Sequence, residues 1–239
     1  MHLITSGCSF SECETTYVDS WPKVLTRALE EKYDVNHTPY GMGSQGNGLI
    51  SRSVRWSVLD ALNNGTDPSD ILVGIMWSGT ARGEVYVEGD FHIENTDGWK
   101  RNPIKMPPSD VEGNWLILNP HWKNEYVKPY YVHKSPAAHS IATLELIIYT
   151  QMFLKQHNIK YFMSVYMDEV LKDYNSRPAL KWLKDQIDWD TFLPVKGMFD
   201  WAKESDLPMG FDGFHPSNEQ HQHYVKTIIM PWLSEKYDY

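Results

Sequence analysis

The sequence predicts an α/β protein built on a parallel sheet with helices on both faces. Two observations carry the prediction. Apolar runs of strand length alternate with helix-like patterns over residues 2–82 and again over 135–236, the rhythm of a parallel sheet with crossover helices. Asp70–Trp77 is continuously apolar at Ile71, Leu72, Val73, Ile75 and Met76, which suits a strand buried on both faces.

The elements follow in order. His2–Ser6 reads as a first strand running into Gly7-Cys8-Ser9-Phe10-Ser11. Ser20 and Pro22 open a helix from Trp21 to about Lys32, with Val24, Leu25, Ala28 and Leu29 on one face. Tyr33–Thr38 reads as a second strand. The glycine-rich loop Gly41–Gly48 then leads into a helix with Ile50, Val54, Val58 and Leu62 at four-residue spacing, stopped by Asn63-Asn64-Gly65. From 83 to 134 the rhythm breaks. Glu84–Glu94 alternates like a hairpin around Gly89-Asp90, and Pro- and Asn-rich loops follow with Trp99, Trp115 and Trp122. This stretch lacks the periodicity for its own core, so the reading is one domain over 1–239 with an insertion at about 83–134. Ser135-Pro136 starts a helix to about His157, with Ile141, Leu144, Ile148 and Met152 inward. Lys160–Met167 is a fourth strand. Ser217-Asn218-Glu219-Gln220 is a capping box that opens a last helix to about Tyr237.

Composition removes several classes of function. The formal net charge is −9, and no basic face is present to neutralise nucleic-acid phosphates. No stretch of eighteen apolar residues is available for a membrane span. Cys8 and Cys13, the two cysteines, would close only a very short loop and read as free thiols in a reducing compartment. Met1–Gly7 has neither a basic leader nor a long apolar run, so the expected location is cytoplasmic.

Three motifs carry chemistry. Ser9 follows the first strand at a tight turn, which exposes a hydroxyl above a sheet and frees a backbone N–H. Asp212-Gly213-Phe214-His215-Pro216 precedes the last helix. A serine hydroxyl needs a base, and His215 supplies one nitrogen for the proton while Asp212, three residues away, holds the other. The glycine loop offers backbone N–H groups for a developing oxyanion. It lacks both the Lys-Ser/Thr of a phosphate loop and the dinucleotide pattern, so no cofactor is expected.

The order Gly-x-Ser-Phe-Ser, glycine loop, Asp-x-x-His resembles the SGNH/GDSL hydrolase family over the framework at 2–82 and 135–236. The resemblance implies a three-layer α/β/α sandwich with a flavodoxin-like parallel sheet. It also implies Ser9 as nucleophile with His215 and Asp212, and an oxyanion hole from the N–H groups of Ser9 and Gly43. Two departures stand out. Cys8 replaces the usual Asp before the nucleophile. The Gly-x-Asn expected after the third strand is replaced by Met76-Trp77-Ser78-Gly79-Thr80-Ala81-Arg82, which leaves Asn47, Ser78 or Arg82 as substitute donors. The Trp77-Ser78-x-x-x-Arg82 pattern resembles phage-encoded members of the family, and a viral chain would act in the host cytoplasm or the virion. The implied activity is a carboxylic ester hydrolase acting on a small-molecule or carbohydrate ester, with an O-acetylated carbohydrate suggested by the Trp-rich insertion. The alternative is a catalytically degenerate module with a structural or binding role.

Other clusters carry less. His221 and His223 are two residues apart on a helix and share no face, so they read as surface residues, and the three histidines including His215 do not read as a metal site. Asp185, Asp188 and Asp190 lack the Gly and closing Glu of a calcium loop.

Overall fold

A computed structural model describes residues 1–13, 18–88, 100–101, 113–121, 127–171 and 178–239. Strands β1 (His2–Glu12), β2 (Asn36–Gly41) and β3 (Ile71–Trp77) are separated by helices α1 (Trp21–Glu30) and α2 (Asn47–Asn63). A short antiparallel sheet follows, from β4 (Gly83–Glu88), β5 (Lys100–Arg101) and β6 (Gly113–Leu118). Then come α3 (Val127–Val132), α4 (Pro136–Gln156) and β7 (Lys160–Val165). A shorter helix, Met198–Glu204, precedes the C-terminal helix, which runs Asn218–Tyr224, passes a π turn at Val225–Ile229 and continues as Met230–Tyr237.

The main sheet is parallel throughout, in the order β2-β1-β3-β7. Beyond β7 the chain adds a single parallel bridge, Met163 to Phe192. This is the strand order of doubly wound α/β folds, whose ligands bind outside the carboxyl ends of the strands. Strand alternation sorts β3 between two cores. Ile71, Val73, Ile75 and Trp77 meet Val54 and Val58 of α2 with Leu144 and Ile147 of α4. Leu72 and Met76 meet Trp21 and Leu25 of α1 with Val225 and Ile229. The molecule is therefore a three-layer α/β/α sandwich. Gly74 faces the α1 side because a Cβ there would lie 2.7 Å from the Phe162 ring and 3.0 Å from Trp21.

Several sequence expectations need correction. β1 extends to Glu12, well past Ser6, and β2 begins at Asn36 and not at Tyr33. Residues 113–118 form a strand where loops were expected, and β4 pairs with it. Gly89-Asp90 and the second arm of the expected hairpin lie outside the described residues, as do Trp99 and Trp122. On α4, Leu144 and Ile148 are buried but Met152 is 63% exposed. The buried face also carries Ser140, Thr143, Thr150 and Gln151. Thr150 hydrogen-bonds Ser51 at 2.7 Å, and Gln151 bonds Thr191 at 2.9 Å. A face holding satisfied polar groups cannot be located from apolar spacing alone.

The antiparallel sheet docks on α2 through Glu84. Its carboxylate fills the space left by Gly46 and Gly48, where a Cβ would lie 2.5 and 1.8 Å from the carboxylate oxygens. Burial raises the Glu84 carboxyl to about 7, against the pull of Arg52, Lys134 and the Leu49 N–H. A carboxyl raised above its unfolded value contributes stability that is complete at low pH and is lost as pH rises through the folded value. Between pH 5 and 8 the protein should therefore lose about 2–3 kcal/mol more stability than Glu84→Gln, whose neutral amide removes this titration. Urea denaturation of both proteins at the two pH values measures the difference, and titrations elsewhere cancel.

Candidate active site

Ser9 stands on an irregularity of β1. Gly7 pairs with Gly41 of β2, and Glu12 pairs with Gly41 again, so the residues between them bulge out of register. Both glycines are required there. A Cβ on Gly7 would lie 2.3 Å from Ser11 Oγ, and one on Gly41 would lie 2.0 Å from the Ser11 carbonyl oxygen. The bulge is tied down by the Trp21 indole, which donates to Ser11 Oγ at 2.9 Å. Cys8 and Phe10 point into the α1-side core, and Ser9 remains partly accessible.

The Asp212–His215 turn is self-organised. Met209 and Pro216 form an antiparallel bridge, and the Gly210 N–H donates to the His215 carbonyl at 2.9 Å. Gly213 has φ +67°, a conformation that costs a side-chain-bearing residue energy. Asp212 Oδ1 accepts the backbone N–H groups of Phe214 (2.9 Å) and His215 (2.8 Å), while Oδ2 meets His215 Nδ1 at 2.5 Å. Burial pushes the Asp212 carboxyl up, but the His215 ring and those two N–H groups outweigh it and hold it at about 2. The capping box on Ser217 and Gln220 fixes the helix start immediately after the turn.

The two halves meet. His215 Nε2 lies 2.8 Å from Ser9 Oγ, 206 positions away in the chain. Phe10 packs 5.0 Å from the His215 ring and supports it from below. The Ser9, His215 and Asp212 side chains thus form one hydrogen-bonded relay, in which a neutral imidazole can take the serine proton while the carboxylate holds the opposite nitrogen. A cavity of about 360 Å³ opens on Ser9, His215, Asp212, Gly43 and the 93% exposed Phe211.

The expected oxyanion donors separate. Gly43 lines this cavity, but its N–H donates to Glu12 Oε2 at 3.1 Å. Asn47 lies elsewhere. Its amide donates to the Ser78 carbonyl (3.1 Å) and Thr143 (3.2 Å), and its oxygen accepts the Ser78 N–H at 2.7 Å. Ser78 is fully buried and accepts from Arg82 at 2.8 Å. Arg82 lies over Tyr166 in a different cavity of about 190 Å³. Asn47 and Ser78 therefore brace α2 against the end of β3, and neither lines the Ser9 cavity. Trp115 packs under Arg52 and against Tyr86, away from the Ser9 cavity, and gives no support to a sugar platform there.

Two lining residues were missed or misjudged in the sequence. Glu12 carried no motif, although it stands three positions after Ser9. His221 is buried, not on the surface, and accepts the Trp21 N–H at 3.0 Å. His223 is exposed and stacks on Trp201. No cluster of metal-ligand type occurs among the described residues, and none of their helices is long and apolar enough to cross a membrane.

Fold and relay together define an α/β sandwich protein with a Ser-His-Asp constellation at the carboxyl end of its sheet. Residues 10–237 match the model of a family of unknown function, DUF6071, and the chain belongs to that family. No curated protein matches the chain. Among solved structures it is similar to a member of the lipolytic protein G-D-S-L family from Veillonella parvula, at 9% identity and TM-score 0.47, covering 99% of this chain and 98% of that one. It is also similar to TesA, at 13% identity and TM-score 0.48, covering 97% and 99%. A third is a catalytic mutant of Axe2, an acetylxylan esterase from Geobacillus stearothermophilus, at 12% identity and TM-score 0.46, covering 94% and 90%.

Proposed function

We propose that the chain is a serine-dependent ester hydrolase of the SGNH/GDSL type. The observation that carries this is the relay from Ser9 Oγ through His215 to Asp212. In the proposed cycle Ser9 Oγ attacks the ester carbonyl carbon as His215 Nε2 takes its proton. Asp212 orients the imidazole and stabilises the imidazolium. The tetrahedral oxyanion is held by the N–H groups of Ser9 and Gly43, once the Gly43 donor is released from Glu12. The intermediate collapses with cleavage of the C–O bond, and the departing alcohol takes the proton from His215. Water then attacks the acyl-serine with His215 again as base, which frees the acid and restores Ser9.

Wild type should release p-nitrophenol from p-nitrophenyl acetate well above the rate of Ser9→Ala, read spectrophotometrically. Equal release by both proteins sinks the assignment of Ser9 as nucleophile. One observation favours the second reading, a degenerate module with a binding role. The carboxylate of Glu12 already holds the Gly43 N–H, and a negative charge there opposes an oxyanion. Absence of Ser9-dependent turnover on every ester would support that reading.

A further inference from the structure

Among the groups lining the cavity beside Ser9 but outside the relay are His221 and Glu12. His221 retains only 2% of its exposure, and its Nδ1 accepts the Trp21 N–H. Burial, with the charge of His215 behind it, lowers its pKa to about 3, so the ring is neutral at working pH. With Nδ1 an acceptor, the one ring proton sits on Nε2. That N–H lacks a hydrogen-bond partner among the described residues, and the ring lines the cavity. Glu12 lines the same cavity. Its Oε2 takes the Gly43 N–H, and Oε1 has no partner among the described residues. Among the described residues, no Lys or Arg lines this cavity.

We propose that Glu12 and His221 are specificity-determining residues that recognise a hydroxyl group on the alcohol portion of the substrate, which is then an ester of a polyhydroxylated alcohol. The proposal rests on the ester-hydrolase reading of this site. The carboxylate can only accept a hydrogen bond, and the Nε2–H can only donate one. A hydroxyl serves both, donating to Glu12 and accepting from His221. An ammonium group meets the charge of Glu12 but leaves the His221 N–H unpaired. A carboxylate or phosphate satisfies His221 but is repelled by Glu12. An alkyl group leaves both unpaired, and unpaired polar groups in a site discriminate strongly against the analogue that fails to meet them.

The test uses three acetates: glycerol 1-acetate, propyl acetate and acetylcholine. Wild type should show kcat/KM for glycerol 1-acetate about 10- to 100-fold above that for propyl acetate. Acetylcholine, whose quaternary ammonium meets the Glu12 charge but leaves the His221 N–H unpaired, should fall below glycerol 1-acetate. In Glu12→Ala and in His221→Phe the ratio of the first two should fall towards one. Glu12→Ala keeps the test valid if the buried His221 variant does not fold. Equal rates in wild type, a preference surviving in Glu12→Ala, or a preference for acetylcholine would each overturn the proposal. If p-nitrophenyl acetate is hydrolysed but the ratio is flat, the subsite fails while the hydrolase reading stands. If no acetate is hydrolysed, the hydrolase reading fails. The subsite is then judged by saturation-transfer NMR of glycerol 1-acetate on Ser9→Ala, where signal lost on adding Glu12→Ala supports it and unchanged signal overturns it.

Discussion

A fluorophosphonate probe should label the wild-type protein at Ser9, and His215→Ala should abolish that labelling although it leaves the serine in place. The expected loss of ester turnover is about 10⁴-fold or more for Ser9→Ala and for His215→Ala, and the double variant should be no worse than either. The non-additivity follows from the geometry. Ser9 Oγ and His215 Nε2 share one hydrogen bond, so removing either end removes the same proton transfer. Asp212→Asn should retain the turn, because its side-chain oxygen can still accept the Phe214 and His215 N–H groups, yet it should impair the reaction by disturbing the imidazole tautomer. Intact-mass spectrometry of the labelled proteins reads the adduct directly. Unchanged labelling in His215→Ala would mean that Ser9 is activated by something else, and absence of labelling in wild type would favour the binding-module reading.

The second large effect is expected from Gly41→Ala. The added Cβ would be placed 2.0 Å from the Ser11 carbonyl oxygen and 2.3 Å from its carbonyl carbon. Both are backbone atoms, so no rotamer change relieves the clash and the bulge in β1 must move. Overpacking of this kind costs about 1–3 kcal/mol, measurable as a shift of the urea midpoint without a change in slope. The same displacement carries Ser9 and Glu12 with it, and a misplacement of about 1 Å can cost about 100-fold in rate. Folded Gly41→Ala should therefore label slowly even where its stability suffices. Wild-type labelling in a destabilised Gly41→Ala would show that the bulge and the serine position are independent.

The parts that were legible in the sequence are those closed by local contacts or stamped by one physical rule. The buried strand at Ile71–Trp77 was legible because a strand covered on both faces has no polar side to interrupt it. The Asp212–His215 pair was legible because the turn builds itself from its own backbone and a positive-φ glycine. The capping box was legible for the same reason. The donors were not. Asn47 and Ser78 sit in the right segments, but sequence position says nothing about which way a side chain leaves a helix start or a strand end. In the fold they turn towards each other. Met152 was misplaced because polar partners such as Ser51 and Thr191 come from distant segments and make a polar stripe buriable.

The sequence by itself determined the alternation of strands and helices and the absence of a phosphate-loop motif, and it singled out Ser9 and the Asp-x-x-His pair as the candidates, because each of these is written in spacing over a few residues. Only the tertiary structure decided that Ser9 and His215 meet at 2.8 Å, that Glu12 reaches the Gly43 N–H, and that His221 is buried against the first residue of α1, 200 positions away. Those outcomes depend on the strand register β2-β1-β3-β7 and on the bulge it accommodates, and a register is a property of paired chains, not of any one segment.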